Sequence, residues 1–292
     1  MTDSNLNPQV AGLTVAADPQ AKAQREESHP APGFRLRAAM EDAGALIAFG
    51  IDVVKSLPTC VRLYPAEVAR QCAVLIRSNA LVILFMIFML GALVGITTSF
   101  LFEGVGLESY VGAVPAVPML RGVIEMVFGW VLAAKYGCGI VAELGAMRIS
   151  EEVDAMDVMG VRSLPYLVGT RVIAAVIVLP ALFVISLMVF FLSSKVFFVD
   201  LLGAVSGGGY DYVLFLLQGP KDLIASTLWG TIVGFVITVV ACFYGYNASG
   251  GPVGVGRNTA QAMLVNLVLI SVISLLLAQI FYANSYGSAI GT

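Results

Sequence analysis

The chain has 292 residues, of which 59% are hydrophobic and 12% charged, and its formal net charge is −3 at pH 7. Soluble domains carry about 25% charged residues, so this composition excludes an ordinary soluble protein and predicts an all-α polytopic membrane protein. No basic or aromatic pattern points to a nucleic-acid partner.

Residues 1–33 are polar and lack a continuous apolar core, which predicts a disordered cytoplasmic tail rather than a signal peptide. His29, the only histidine, lies in this tail, so we expect no histidine catalysis and no histidine-ligated metal inside the membrane. The cysteines form no CxxC pair, which favours a buried structural role over a metal or redox site. They are Cys60, Cys72, Cys138 and Cys242.

Residues 34–79 mix apolar and charged side chains. This pattern predicts an amphipathic helix in the inner-leaflet interface, followed by an elbow helix that turns into the first span. The alternative is a soluble helix packed on a partner.

Apolar segments long enough to cross a bilayer, which takes about 20 helical residues, predict a membrane domain over 80–292. Basic residues gather before the first span and in the loop after the second. By the positive-inside rule, we expect a cytoplasmic N-terminus and a periplasmic C-terminus in the cell inner membrane. The third loop, with Lys195 and Lys221, fits this orientation least well. The five predicted spans are 81–102, 114–142, 166–194, 223–246 and 260–282.

A charged segment, 143–160, separates the second and third spans. An ionisable side chain at the centre of a spanning helix costs about 2.5–3.5 kcal/mol, so we expect this segment to lie in water. Ser150 is predicted to cap the N-terminus of a short helix, with Glu151 and Glu152 in its first turn. Gly160 suits the position just after the helix end.

The short helix is either a docking element for a soluble partner or a solvated connection between two spans. A helix this short is marginal in water on its own, and methionine side chains offer an adaptable surface for another protein. The candidate docking residues are Glu151, Glu152, Val153, Asp154, Met156 and Asp157.

Arg121 and Glu125 lie one helical turn apart near the outer end of the second span. They form either an i,i+4 ion pair that neutralises itself or a polar spot on a lipid path. The Gly91-x-x-x-Gly95 and Gly230-x-x-x-Gly234 faces allow close helix packing, within the chain or between subunits. The glycine-rich run 250–257 lacks the Gly-Lys-Ser/Thr of a phosphate-binding loop and predicts a tight cytoplasmic turn.

Two segments, 134–160 and 244–259, resemble the signatures of the MlaE/YrbE permeases, the membrane subunits of ABC transporters that work with MCE-domain lipid carriers. The resemblance extends from about residue 40 to the C-terminus. It implies an N-terminal interfacial helix, five spans, and a periplasmic helical segment near 195–220. It also implies a cytoplasmic coupling helix near 150–158 that sits in a groove of a separate ABC ATPase.

By the same resemblance, two permeases form a dimer beneath periplasmic MCE proteins and carry lipid, while the partner hydrolyses ATP and this subunit is not an enzyme. No catalytic residue or cofactor is expected. Lys135 stands where many members carry Arg, and such departures suit the actinobacterial YrbE type, in which two non-identical permeases pair. Import of fatty acids or sterols, or phospholipid transport, follows only by analogy. The alternatives are an ion-coupled secondary carrier and an intramembrane lipid-modifying enzyme.

Overall fold

The computed structural model describes residues 32–107, 110–203 and 205–282, and these residues form helices without strands. The predicted tail 1–33, with His29, lies outside them apart from its last two residues. Two of the long helices, Pro115–Ile149 and Leu164–Leu201, contain wider π-helical turns, such as Ala133–Gly137. The segments are α1 (Pro32–Leu63), α2 (Pro65–Glu103), α3 (Pro115–Ile149), α4 (Glu152–Val158), α5 (Leu164–Leu201), α6 (Gly207–Leu217), α7 (Pro220–Tyr246) and α8 (Gly251–Tyr282).

The predicted all-α polytopic membrane fold is confirmed. Six helices among the described residues are long and apolar enough to cross a membrane, and five of them, α2, α3, α5, α7 and α8, contain the predicted spans. The sixth candidate, Ala43–Leu63, belongs to α1, where the sequence predicts an interfacial helix. Residues 65–79, where the sequence predicts an elbow helix that turns into the first span, form the beginning of α2, which runs unbroken for 39 residues from Pro65. A proline is well suited to the first turn of a helix, which explains this start.

Helix α2 runs parallel to α5. Gly91 packs against the backbone of Phe190, so closely that a methyl group added to the glycine would lie 2.6 Å from the Phe190 carbonyl oxygen. Gly95 packs against Phe197. Residue numbers therefore rise together along the two helices. A hydrogen bond of 2.7 Å from Ser193 Oγ to the Phe88 carbonyl crosses the same contact. The Gly91–Gly95 face thus packs within the chain.

Helix α7 runs antiparallel to α5. Gly230 faces the ring of Phe183, and Gly234 faces Leu179, so the order of contacts is reversed. A methyl group at Gly230 would lie 2.7 Å from that ring. The second glycine pair therefore also serves packing inside the chain, in agreement with the intrachain alternative.

The remaining spans alternate in direction. Gly129 of α3 contacts Val233 of α7, and Gly137 contacts Ile237. Because residue numbers rise together along both helices, α3 and α7 are parallel. Trp229 Nε1 donates to Ser274 Oγ over 3.2 Å, and α8 runs back along α7. Helices α2, α5 and α8 therefore begin at one end of the bundle, which carries α4 and is called the α4 end. The opposite end carries α6 and is called the α6 end.

Of the described residues, 32–48, the first part of α1, belong to a different compact unit from the rest of the chain. After it, the Phe49 ring contacts the rings of Phe243 and Tyr246 at 5.5 and 6.2 Å. Cys60 Sγ donates a 2.6 Å hydrogen bond to the carbonyl of Pro165. Both contacts lie at the α4 end, so 49–60 runs across that end of the bundle.

The sequence also makes predictions for the connection between α5 and α7 and for that between α7 and α8. The segment between α5 and α7 contains the helix α6, which Lys195 ties to α5 through a 2.6 Å ion pair with Asp211. The predicted turn over 250–257 is wrong, because α8 already begins at Gly251. Pro252 fits the first turn of that helix, and only Asn247–Gly250 stays outside. Cys60 and Cys242 are buried and Cys72 and Cys138 partly buried, all as free thiols.

Candidate functional site

Helix α4 starts at a sharp change of direction after α3. Glu151 has left-handed backbone angles (φ 61°, ψ 12°), which are uncommon for a residue with a side chain. The predicted N-cap role of Ser150 is wrong. Ser150 ends α3 instead, and its hydroxyl donates to the carbonyls of Ala146 and Met147. Serine at this position bonds backwards into the preceding turn.

The end of α4 agrees with the sequence. Gly160 has a φ of 81°, the left-handed conformation that glycine adopts without steric cost. Its amide donates to the Asp157 carbonyl, and the Val161 amide donates to the Met156 carbonyl, over 3.1 and 3.0 Å. This pair of bonds is the Schellman arrangement, which closes the helix at Met159.

The inner face of α4 is anchored by Val153. Its side chain is 0% exposed and belongs to the main hydrophobic core, and Met156 is half-buried against the same core. Val153 was among the predicted docking residues, but a fully buried side chain offers no surface to a partner. Its place in the 3.6-residue period already put it on the apolar face.

The outer face of α4 combines carboxylates with apolar side chains. Val158 and Met159 are 88% and 72% exposed, although both are hydrophobic. The predicted docking residues do not include Val158, because a hydrophobic side chain in a short helix is normally expected to be buried. We call this patch the α4 surface; its exposed members are Glu151, Glu152, Asp154, Asp157, Val158 and Met159.

A cavity of about 350 Å³ lies between α4 and the first turns of α2 and α5. Glu152 and Met156 line it from α4, and Arg70 and Arg171 line it from the two spans. The arginines are already paired. Arg70 bonds to Glu67, and the buried Arg171 pairs with Glu143 at 2.8 Å. The cavity therefore separates α4 from the spans without presenting a free cation.

Two polar links join α4 to the end of α7. Asp157 Oδ1 accepts the Ser163 amide over 3.0 Å, and Ser163 Oγ shares a 2.8 Å hydrogen bond with the Tyr246 hydroxyl. Arg148 pairs with Asp154 and lies 6.0 Å above the ring of Tyr246. The sequence did not predict this role for Tyr246, because no local pattern indicates a contact with Ser163, 83 residues away.

At the α6 end, α3 is broken. The backbone leaves helical angles at Arg121 and Gly122, where Gly122 has a φ of 159°. The bends come after Pro115 and Pro118, which cannot donate backbone hydrogen bonds. Irregular backbone inside a membrane protein is tolerated where protein or a polar cavity surrounds it.

The predicted i,i+4 pair of Arg121 with Glu125 is wrong. Arg121 pairs with Asp222 of α7 at 3.2 Å, and Glu125, at 0% exposure, accepts a hydrogen bond from Ser226. Both partners lie 101 residues further along the chain, one helical turn apart on α7. The parallel packing of α3 and α7 produces this register, which is invisible in the local sequence. We call Arg121, Glu125, Asp222 and Ser226 the α3–α7 polar cluster.

The polar cluster is almost closed to solvent. The side chains of Arg121 and Asp222 are 20% and 15% exposed, and the Arg121 guanidinium also lies 5.3 Å from the ring of Tyr282. Glu125 Oε2 is buried without a hydrogen-bond partner among the described residues. The cluster therefore holds charge at the break of α3 by internal pairing. Within 32–107, 110–203 and 205–282, no group of three or more His, Cys, Asp or Glu side chains could hold a metal ion.

Comparison with known proteins identifies the family. The family model described as "Permease MlaE" matches residues 68–280. A probable ABC transporter permease protein of Rickettsia prowazekii is 27% identical over 234 residues, which cover 75% of this chain and 85% of the relative. A similar protein of Rickettsia bellii is 27% identical over 248 residues, covering 80% and 91%.

A plant relative extends the comparison. The chloroplastic protein TRIGALACTOSYLDIACYLGLYCEROL 1 of Arabidopsis thaliana is 30% identical over 187 residues, which cover 63% of this chain and 52% of that protein. The family match includes the five alternating spans, α4 and the polar cluster. The chain therefore belongs to the MlaE/YrbE family of permeases and is a transmembrane permease subunit of an ABC transporter.

Proposed function

We propose that this permease moves a lipid (a fatty acid, a sterol or a phospholipid) across the cell inner membrane, driven by an ATPase docked on the α4 surface. An ABC transporter permease works with an ATPase. A lipid cargo is supported by the plant relative, whose name is that of a glycolipid built on diacylglycerol. The subunit itself supplies no catalytic group to ATP hydrolysis.

The observation that carries the docking proposal is the two-sided character of α4. Val153 is buried in the core, whereas Val158 is 88% exposed only five residues later. Exposed carboxylates surround the apolar tip formed by Val158 and Met159. Complementary charge steers encounter and fixes register, so the ATPase groove would carry basic side chains around an apolar pocket. The exposed carboxylates of Glu151 and Glu152 would then face cations of the ATPase.

The proposed orientation follows from the arginines at the α4 end. Arg62, Arg70 and Arg162 lie there, at the ends of α1, α2 and α5. By the positive-inside rule this end faces the cytoplasm. The C-terminus and α6 would then face the periplasm, where MCE-domain proteins would receive or deliver lipid. A second, non-identical permease of the YrbE type would complete the dimer.

The lipid path would pass the α3–α7 polar cluster. The break at Arg121 and Gly122 frees backbone groups and places charge beside it. Broken spanning helices of this kind often form substrate sites in transporters. Arg121 would face the lipid headgroup, and Glu125 would keep α3 against α7 through Ser226. Separation of α3 from α7 would open the path.

The test reverses one charge on the α4 surface. Glu152→Lys in the full chain, coexpressed with its ATPase, is expected to lower recovery of the ATPase by about tenfold or more, because opposed like charges cost several kcal/mol at an interface. Recovery is measured by affinity purification of the permease, followed by quantitative mass spectrometry of proteins and bound lipids.

Asp200→Lys is the matched control, since Asp200 is exposed at the opposite end of α5. It makes the same change in charge and should leave recovery unchanged. Equal recovery with both variants would contradict docking on α4. Purified wild type without any ATPase, but active as an ion-coupled carrier or as a lipid-modifying enzyme, would overturn the proposed function itself.

A further inference from the structure

We propose that Tyr246 is a positioning residue that transmits displacement of α4 to α7, and through α7 to the α3–α7 polar cluster. This inference rests on the proposed function, because a docked ATPase is what would displace α4. It adds a route by which docking at one end of the bundle reaches the charges at the other end.

The first contact in the route is a chain of hydrogen bonds. Asp157 lies on α4 and holds the amide of Ser163, one residue before α5. The Ser163 hydroxyl holds the hydroxyl of Tyr246, the last residue of α7. Ser163 is only 3% exposed, so water competes little for these bonds. A shift of Asp157 therefore pulls on the end of α7.

The second contact reaches the same tyrosine through its ring. Arg148 is paired with Asp154 of α4, and its guanidinium lies over the Tyr246 ring at 6.0 Å. Cations attract the face of an aromatic ring at such distances. On its other sides the ring contacts Phe49 of α1. Tyr246, at the end of α7, is thus linked to α4 twice, by its hydroxyl through Ser163 and by its ring through Arg148 of α3.

Helix α7 can carry the displacement because it is continuous. It has 27 residues without an internal proline after its first position, and at about 1.5 Å per residue it is about 40 Å long. Its other end bears Asp222 and Ser226, which hold Arg121 and Glu125. A rigid helix with side chains bonded at both ends couples the two ends mechanically. Movement of Tyr246 therefore changes the strain on the break in α3.

The experiment measures the α6 end while changing only the α4 end. Nitroxide labels are placed at Tyr110 and Lys221, which are exposed near the starts of α3 and α7, in a chain whose native cysteines are replaced. The complex with its ATPase is studied in lipid nanodiscs with ADP and with trapped ATP. The label distance is read by pulsed electron paramagnetic resonance.

In the wild-type chain we expect ATP to shift the distance distribution. Tyr246→Phe keeps the ring but removes the hydroxyl bond, and Ser163→Ala removes the same bond from the other side. Each is expected to lower the ratio of shifted to unshifted molecules by about two- to tenfold, the value of one hydrogen bond. The double variant should be no worse than either single variant, because both remove one interaction. ATPase recovery should not change.

Thr259→Val is the matched control, because the Thr259 hydroxyl bonds to the carbonyl of Val255 within its own helix. It should retain the full distance shift. A normal shift in Tyr246→Phe and Ser163→Ala, or no shift in the wild-type complex, overturns the relay while docking stands. Absence of ATPase from the wild-type complex instead overturns the proposed function on which the relay rests.

Discussion

The α4 surface and the α3–α7 polar cluster contain the same kinds of side chain in opposite surroundings. On α4, the carboxylates of Glu151 and Glu152 are exposed beside an apolar tip. In the cluster, Glu125 is fully buried and Asp222 nearly so, each bonded across to another helix. Exposed charges gain little from pairing inside one chain, whereas buried charges require it. The carboxylates of Glu151 and Glu152 are therefore open to solvent, whereas the acidic residues in the cluster hold two spans together.

The strongest test of this contrast moves a charge to the buried side of α4. Val153→Asp places a carboxylate at a site with 0% exposure. We expect a loss of about 3 kcal/mol or more in the free energy of unfolding, because a buried charge has no compensating partner there. Thermal unfolding in detergent measures the change. An unaltered melting temperature would show that α4 separates from the core without cost.

A smaller effect is expected in the polar cluster. Asp222→Asn keeps an oxygen to accept the Gly219 amide, which Asp222 Oδ2 holds at 3.1 Å, but it removes the charge that faces Arg121. The expected loss is about 1.5–3 kcal/mol, as for a hydrogen bond to a charged group. A double-mutant cycle with Arg121→Gln isolates this interaction. Additive losses would mean that the two side chains are not coupled.

The smallest effect on stability belongs to the outer side of α4. Val158→Asp changes a side chain that is 88% exposed, so the free energy of unfolding should stay within about 0.5 kcal/mol. Recovery of the ATPase should nevertheless fall, because a new carboxylate replaces the apolar tip. Thermal unfolding and affinity purification are measured on the same preparation. A destabilised protein, or undiminished recovery, would remove the distinction between the two faces.

Hydropathy alone located the spans, because lipid requires long apolar helices wherever the chain crosses. The charged run before Gly160 likewise predicted a short helix with its correct end. Ser150 was misassigned because α3 continues to Ile149, so the serine closes one helix instead of opening the next. A serine at this point in the sequence is compatible with either role, so the local pattern does not distinguish the end of α3 from the start of α4.

Tertiary pairs could not be predicted in this way. Arg121 has an acid one turn away in the sequence, yet it selects Asp222, because the break at Gly122 turns its side chain away from a regular helical neighbour. The link of Ser163 to Tyr246 similarly depends on how α5 and α7 pack. Such contacts arise from the parallel or antiparallel placement of whole spans, which periodicity does not encode.

Tyr64 is the one residue outside helical geometry between α1, of 32 residues, and α2, of 39 residues. Its ring meets the ring of Tyr166 at 5.1 Å, at the start of α5. A connection of one residue leaves the two helices little freedom to move independently. A tilt of the last turns of α1 is therefore transmitted directly to α2, and through the two tyrosine rings to the start of α5.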